Sequence, residues 1–466
     1  MRPIGKCLLD IRLWIVLFFL VRLIGITDPP LGSSHNWRQT TVTMVARNFL
    51  EVDNNILYPR IDIGGSGSGI TGMEFPLLNY LIYLVSLIFG YEHWYGRPIV
   101  LIASCFGVWA FHRLVARHFS DRIAFIASLL LLCSIWFSFS RMIMPDVFSM
   151  SLILIGLHYA SVFIFDRAKP AALGLFVLFI MLGAFSKLPS AYILIVLVIP
   201  LLDARIAPRR QIALASATAI ALIPAALWYF HWVPLLTEAS GLDHFFMGKE
   251  LSVGLDELLA DPGLALHRFT DALKYTGLAA FVIGLVIAAK ERNKPLIAIL
   301  LLSSIGFLFV MMKAGATFMH HSYYIVPFVP IMALIAAFAL DRIGRPEIIF
   351  PLLFVICTES LIGQLHRFRI DPDDRALLQL ESDLDKVSAR TDLILINSDA
   401  IPTPMYFAHR KGWIDTNATI SDPQFLGARK AEGLRTVVIL KKSFGSPIEL
   451  DLPIMLENEH YRIYRI

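Results

Sequence analysis

Charge is scarce in this chain. Only 17% of its 466 residues are Asp, Glu, Lys or Arg, whereas 56% are hydrophobic and the mean hydropathy is +0.65. A soluble globule of this length needs more polar surface, so the scarcity excludes one. Cysteine is nearly missing too. Cys7, Cys105, Cys133 and Cys357 lie in or beside apolar runs, never at CxxC spacing, which argues against both a disulfide framework and a zinc site. The net charge of +4 is too small and too scattered for a nucleic-acid partner. No internal repeat is visible, and the nearest thing to a linker is the GGSGSG stretch at 64–69, which predicts local mobility.

What is present is a series of apolar runs of about 16 to 20 residues, near the length that crosses a hydrocarbon core of about 30 Å as a helix. They fall near 12–27, 98–116, 121–140, 148–165, 171–186, 189–203, 211–230, 276–290, 295–312, 323–340 and 347–364. The chain therefore reads as an all-α polytopic membrane protein with about eleven spans. Arg2 and Lys6 precede the first run as in a signal peptide, but the run ends in Arg22-Leu-Ile-Gly-Ile-Thr with no small-residue cleavage site. An uncleaved first span is expected.

Lys and Arg in short loops mark the cytoplasmic side. Here they cluster at the N-terminus (Arg2, Lys6, Arg12) and at Arg113/Arg117/Arg122, Arg167/Lys169, Arg205/Arg209/Arg210, Lys290/Arg292/Lys294 and Arg342/Arg345. That pattern puts the N-terminus inside and the C-terminus outside, in a cell inner (plasma) membrane. Parity then forbids Phe75–Phe89 from crossing. Its Asn79, Tyr83, Ser86 and Gly90 form one polar stripe at helical steps, as in a segment lying in the interface. An ordinary short span is the other reading.

The domain scheme that results is a transmembrane part, 1–365, with a long first external loop at 28–97, followed by an extracytoplasmic tail, 366–466. The tail alternates short β-branched runs (DLILINS, RTVVILKKS, YRIYRI) with helical segments such as LLQLESDLDKV. It reads as a small α/β domain. Its NAT triplet at Asn417 matches a glycosylation sequon, a pattern common by chance.

Candidate site residues gather on the external side. The segment HNWRQTTVTMVARNF, from His35 to Phe49, contains no acid. Val42, Val45, Ala46, Phe49 and Leu50 have helical spacing, so Thr40 or Thr41 is expected to cap a surface-lying amphipathic helix. His35 and Arg38 would then stand just upstream of its free amides, an anion site in outline. Alternatively, Arg38 and Arg47 meet lipid phosphates and Trp37 anchors the interface. Arg141 and Asp146, in RMIMPD, place a base and an acid at the membrane face, where charge is costly; Asp146 could instead only cap a helix. Lys187, in GAFSKLPSAY, lies where positive charge is disfavoured, either as a site residue or snorkelling. His320 and His321 are adjacent, hence poor joint ligands, and no metal is assigned. Glu74 opens the interfacial helix as a candidate base or a structural cap.

Taken in order, H-x-W-R-Q leading into ARNF, E-F-P-L-x-x-Y-L, R-x-x-x-P-D, the Lys-x-Pro turn and HxYY before a late span resemble GT-C fold glycosyltransferases. The likeness is to bacterial relatives of protein O-mannosyltransferases and lipid A aminoarabinose transferase, and it covers roughly residues 1–345. It implies the GT-C fold and transfer of a sugar from a polyprenyl-phosphate donor to an acceptor hydroxyl at the external face. The partners implied are that lipid-linked donor, membrane lipids and a glycan, lipid or protein acceptor, with no cofactor. The family's first loop usually supplies an acidic base; here Arg38, Gln39 and Thr41 occupy those places.

The chemistry of such a transfer orders the candidates. Attack at the anomeric carbon gathers negative charge on the leaving phosphate, so nearby cations favour the transition state. Arg38, Arg141, Lys187, His320 and His321 are the candidate donor-phosphate ligands. Asp146 is the first candidate base, followed by Glu74, Asp28 and His35. Gln39, Tyr323 and Tyr324 are candidates to bind the acceptor or sugar. A lipid-linked-sugar transporter or flippase is the alternative, although such proteins more often show repeated halves and charges at the midplane.

Overall fold

The computed structural model describes residues 8–32, 34–166, 169–242, 244–245 and 247–466. Arg2, Lys6, Cys7 and Arg167, used above for topology and cysteine chemistry, lie outside the described residues. The chain divides into two compact units. One contains 1–26, 97–230 and 247–365; the other contains 27–96, 231–246 and 366–466.

The first unit is a helical bundle. All eleven apolar segments are helical, but among the described residues of the whole chain only seven helices are long and apolar enough to cross a membrane. The other four expected spans are helical but shorter or interrupted. Ile11–Arg22 holds 12 residues, and Pro170–Ser186 and Leu188–Leu202 are also short. The 121–140 run is broken at Ser134, whose extended backbone (ψ −173°) separates Asp121–Cys133 from Trp136–Phe139. At Lys187 the backbone is likewise extended (φ −164°, ψ 104°), and a 3-10 helix, Leu188–Leu197, follows it with Pro189 in its first turn. Proline is tolerated there because the first-turn amides have no intrahelical acceptor.

Small residues set the closest contacts in this bundle. Pro145–Phe165 and Pro170–Ser186 pack so tightly that a Cβ on Gly156 would lie 2.5 Å from Ile180, and one on Gly183 would lie 2.8 Å from Ile153. Membrane helices commonly associate through such positions. The late span Ser322–Arg342 is buried throughout its apolar window, as its all-round hydrophobic sequence requires.

The second unit joins the first external loop to the tail. Its five-stranded sheet has the order β2-β1-β3-β5-β4, with β1 Leu393–Ile396, β2 Gly412–Ile414, β3 Leu434–Leu440, β4 Ile454–Glu457 and β5 Tyr461–Arg465. β1 pairs in parallel with β2 and β3, whereas β5 runs antiparallel to β3 and β4. The three β-branched runs of the tail are β1, β3 and β5. One core of this unit combines Met44, Val45 and Phe49 with Leu380, Ile394, Ile396 and Tyr406.

Two readings of the first loop change. The helix begins at Asn36, after His35 in a left-handed conformation (φ 55°, ψ 34°), and runs to Glu51. Thr40 and Thr41 are therefore inside it, donating to the carbonyls of Asn36 (3.0 Å) and Trp37 (2.7 Å) rather than capping its start. Every side chain from Arg38 to Phe49 is buried, so this is a core helix and not a surface-lying one. Leu77–Phe89 has 13 residues, about 20 Å of helix, too short to cross about 30 Å. Its stripe residues Asn79, Tyr83 and Ser86 face protein, and Leu87, Ile88 and Phe89 are exposed.

Candidate functional site

Within the bundle, one cluster forms where three breaks in helical structure coincide. Asp146 is in the first turn of Pro145–Phe165, Lys187 is the extended residue after Pro170–Ser186, and Tyr323 and Tyr324 open the 3-10 helix Ser322–Phe328. The Lys187 Nζ lies 2.6 Å from Asp146 Oδ1, with only 1% of the Asp146 side chain and 11% of the Lys187 side chain exposed. The same ammonium stands 4.6 Å from the Tyr323 ring centroid and 5.5 Å from that of Tyr324. A carboxylate and two aromatic faces thus replace part of its hydration. Ser149 fixes the turn by donating to the carbonyls of Gly183 (2.7 Å) and Lys187 (3.2 Å).

The flanking histidines diverge, as neighbours on a short helical turn must. His321 stacks on Tyr323 at 5.3 Å, which stacks on Tyr324 at 4.9 Å, whereas His320 is exposed. Arg141 Nη1 and Nη2 donate to the carbonyls of Ile24 (2.7 Å) and Gly25 (2.6 Å), tying the loop before Asp146 to the end of the first helix.

The second unit holds the first-loop candidates. Arg38 and Glu74 form a buried ion pair, and the Arg38 guanidinium lies 5.2 Å from the Phe245 ring centroid. Gln39, next to Arg38 in sequence, is buried as well. Arg47 Nη2 meets Asp62 Oδ2 at 2.9 Å, Asn48 donates to Asp62 Oδ1 at 2.8 Å, and Arg47 Nη1 donates to the Tyr406 carbonyl at 3.0 Å. Sequence reasoning missed Asp62 and Tyr406. The signal for Asp62 was the lack of acid in 35–49, since two buried arginines must find carboxylates elsewhere. Asn417 is held by Ser446, donating to its carbonyl at 3.0 Å and its Oγ at 2.6 Å.

Residues 74–229 match the family model described as dolichyl-phosphate-mannose-protein mannosyltransferase. Among curated proteins no sequence matches the chain significantly. Among solved structures, the chain is similar to ArnT from Cupriavidus metallidurans in the apo state, at 14% identity and a TM-score of 0.64 with 97% of each chain covered. The structure of that protein bound to undecaprenyl phosphate is also similar, at 13% identity and a TM-score of 0.61, covering 97% of this chain and 98% of that one. The apo oligosaccharyltransferase of Archaeoglobus fulgidus gives 11% identity and a TM-score of 0.54, with 91% of this chain and 69% of that one covered. The resemblance to GT-C fold glycosyltransferases is thereby borne out, and this multi-pass membrane protein has the GT-C fold.

Proposed function

We propose that the chain is an integral-membrane glycosyltransferase that moves a sugar from a polyprenyl-phosphate donor to an acceptor hydroxyl at the extracytoplasmic face of the inner membrane. The observation that carries the reading is Lys187, a buried cation held by one carboxylate and two tyrosine rings inside a bundle of this fold. An ammonium has three donors, and here it stands at ion-pair distance from Asp146, whose buried carboxylate oxygens form no hydrogen bond among the described residues. Such donors suit a phosphate whose charge grows as the glycosidic bond breaks. The undecaprenyl phosphate bound by the similar ArnT supports that choice of ligand.

In this reading Lys187 is the principal phosphate ligand, and Asp146 is both its counter-ion and the first candidate base. As the sugar departs from the phosphate, the acceptor oxygen bonds to the anomeric carbon and its proton passes to the base. Tyr323 and Tyr324 present rings to the sugar or acceptor. Arg141, His320 and His321 complete the candidates of the bundle, and His35, Arg38, Gln39 and Glu74 are those of the second unit. The catalytic part is assigned to 1–365, with the N-terminus cytoplasmic and the tail outside. The acceptor class is a glycolipid, an envelope polysaccharide or a protein.

The test is transfer of labelled sugar from synthetic polyprenyl-phosphate donors in proteoliposomes supplied with envelope extract as acceptor. Turnover by the wild type and a loss of at least 100-fold in Lys187→Ala are expected. No turnover with any lipid-linked donor, or an undiminished rate in Lys187→Ala, would count against the assignment.

A further inference from the structure

A cavity of about 330 Å³ lies inside the bundle, within the usual range of ligand sites, about 300–1,000 Å³. Its wall is mostly apolar, with Leu114, Leu154, Leu157, Ile193, Leu197 and Leu334 among its residues. The charged and hydrogen-bonding side chains of the wall, His118, Ser161, Asp203 and Arg205, lie toward one end of the helices. There His118 Nε2 and Ser161 Oγ are 2.9 Å apart, and Arg205 pairs with Asp203 at 2.8 Å. A pocket with one polar end and a long apolar body fits an amphiphile better than a compact polar ligand.

The rim carries more positive than negative charge. Arg117 pairs with Asp166 at 2.7 Å, but Arg210 Nη1 meets only carbonyl oxygens, those of Ile164 (2.7 Å) and Asp166 (3.0 Å). With Arg205, three cations stand against Asp166 and Asp203. These are the loops that the positive-inside rule assigns to the cytoplasmic face. Depth is the other measure. On one helix the lining runs from Leu154 to Phe165, about 16 Å of rise, or half of a hydrocarbon core of about 30 Å. The pocket is as deep as one leaflet.

We propose that this cavity holds an acyl chain of an anionic phospholipid from the cytoplasmic leaflet, with the lipid phosphate at the Arg205 and Arg210 rim. Basic pockets between spans on that face are suited to such headgroups. The proposal does not depend on the transferase reading, because it concerns the opposite membrane face and is read without turnover.

The experiment is native mass spectrometry of the full chain released from nanodiscs of equal phosphatidylglycerol and phosphatidylcholine. One phosphatidylglycerol should remain bound, at least fivefold in excess of phosphatidylcholine. Arg205→Glu, a change at an exposed side chain, should bring that ratio near one, and Ala160→Phe should fill the cavity and remove the adduct. A bare protein, a wild type without headgroup preference, a polyprenyl phosphate in place of the phospholipid, or an adduct that survives Ala160→Phe would each overturn the proposal. Should Ala160→Phe fail to fold, the ratio measured in Arg205→Glu decides: near one supports the site, and unchanged from the wild type refutes it.

Discussion

At the scale of single residues, the Asp146–Lys187 pair has an energetic signature separate from any catalytic one. Both groups are withdrawn from water, so removing one strands the other at a cost of about 3–5 kcal/mol, whereas an apolar replacement of both is tolerated far better. Lys187→Met alone is therefore expected to lower thermal stability strongly, and Asp146→Leu with Lys187→Met to regain at least half of the loss. Differential scanning fluorimetry of the two variants measures the difference; equal destabilisation would mean that the pair is not coupled. Asp146→Asn keeps the shape and is expected to abolish transfer in a folded protein. The sequence made these residues visible because a charge beside an apolar run is conspicuous. It did not reveal their pairing, since 41 residues separate two breaks that only packing brings together.

At the scale of elements, the position of Lys187 depends on how closely two helices approach. Gly183 lies one turn before Lys187, and an added Cβ would meet Ile153 Cδ1 and Cγ1 at 2.8 Å. Overpacking of this kind costs about 1–3 kcal/mol. Gly183→Val should reduce both melting temperature and transfer, and Ile153→Ala added to it should restore part of each but not all, because the nearest obstructing atoms belong to a side chain while the Ser149 carbonyl oxygen stands next at 3.1 Å. A double variant no better than the single one would place the constraint in the backbone instead. Apolar run length made the eleven helical segments legible, and the Lys-x-Pro turn marked the interruption at Lys187, but the one at Ser134 falls inside a continuous apolar run. Asn36 starts its helix four residues before the first predicted cap because Thr40 and Thr41 bond backward instead. The first-loop helix reads as surface-lying for a related reason: its own segment holds no acid, and the carboxylates that let Arg38 and Arg47 be buried, Glu74 and Asp62, come from outside it.

At the scale of the whole molecule, segments far apart in sequence make one folded unit, and a single histidine records that union. His409 Nε2 lies 2.8 Å from Glu51 of the first loop, and its Nδ1 lies 2.8 Å from Glu381 of the tail, with Arg390 Nη1 3.3 Å from the same Nδ1. Hydrogen bonds to Glu381 and Glu51 raise the His409 pKa above its ordinary value, against the opposing effects of burial and of Arg47. The His409 bond holds the Glu381 carboxyl low; at Glu51, burial pushes upward but His409 and Arg47 outweigh it, so that carboxyl is low as well. A raised histidine contributes stability fully below its unfolded value of about 6.5 and loses it as pH rises through the folded value, whereas the lowered carboxylates contribute above about 4.3 and lose it as pH falls. The cluster should therefore stabilise this unit most between about pH 4.5 and 6.5, by roughly 0.5 kcal/mol because Glu51 and Glu381 are partly exposed to solvent. His409→Asn removes the titration while tolerating the left-handed backbone found there (φ 49°). In a pH series of melting temperatures, the wild type should exceed His409→Asn near pH 6, and the gap should close as pH rises toward 9. A gap that stays constant with pH would mean that His409 contributes by packing alone, leaving the shared apolar core and the Arg47 bond to the Tyr406 carbonyl to join the first loop and the tail.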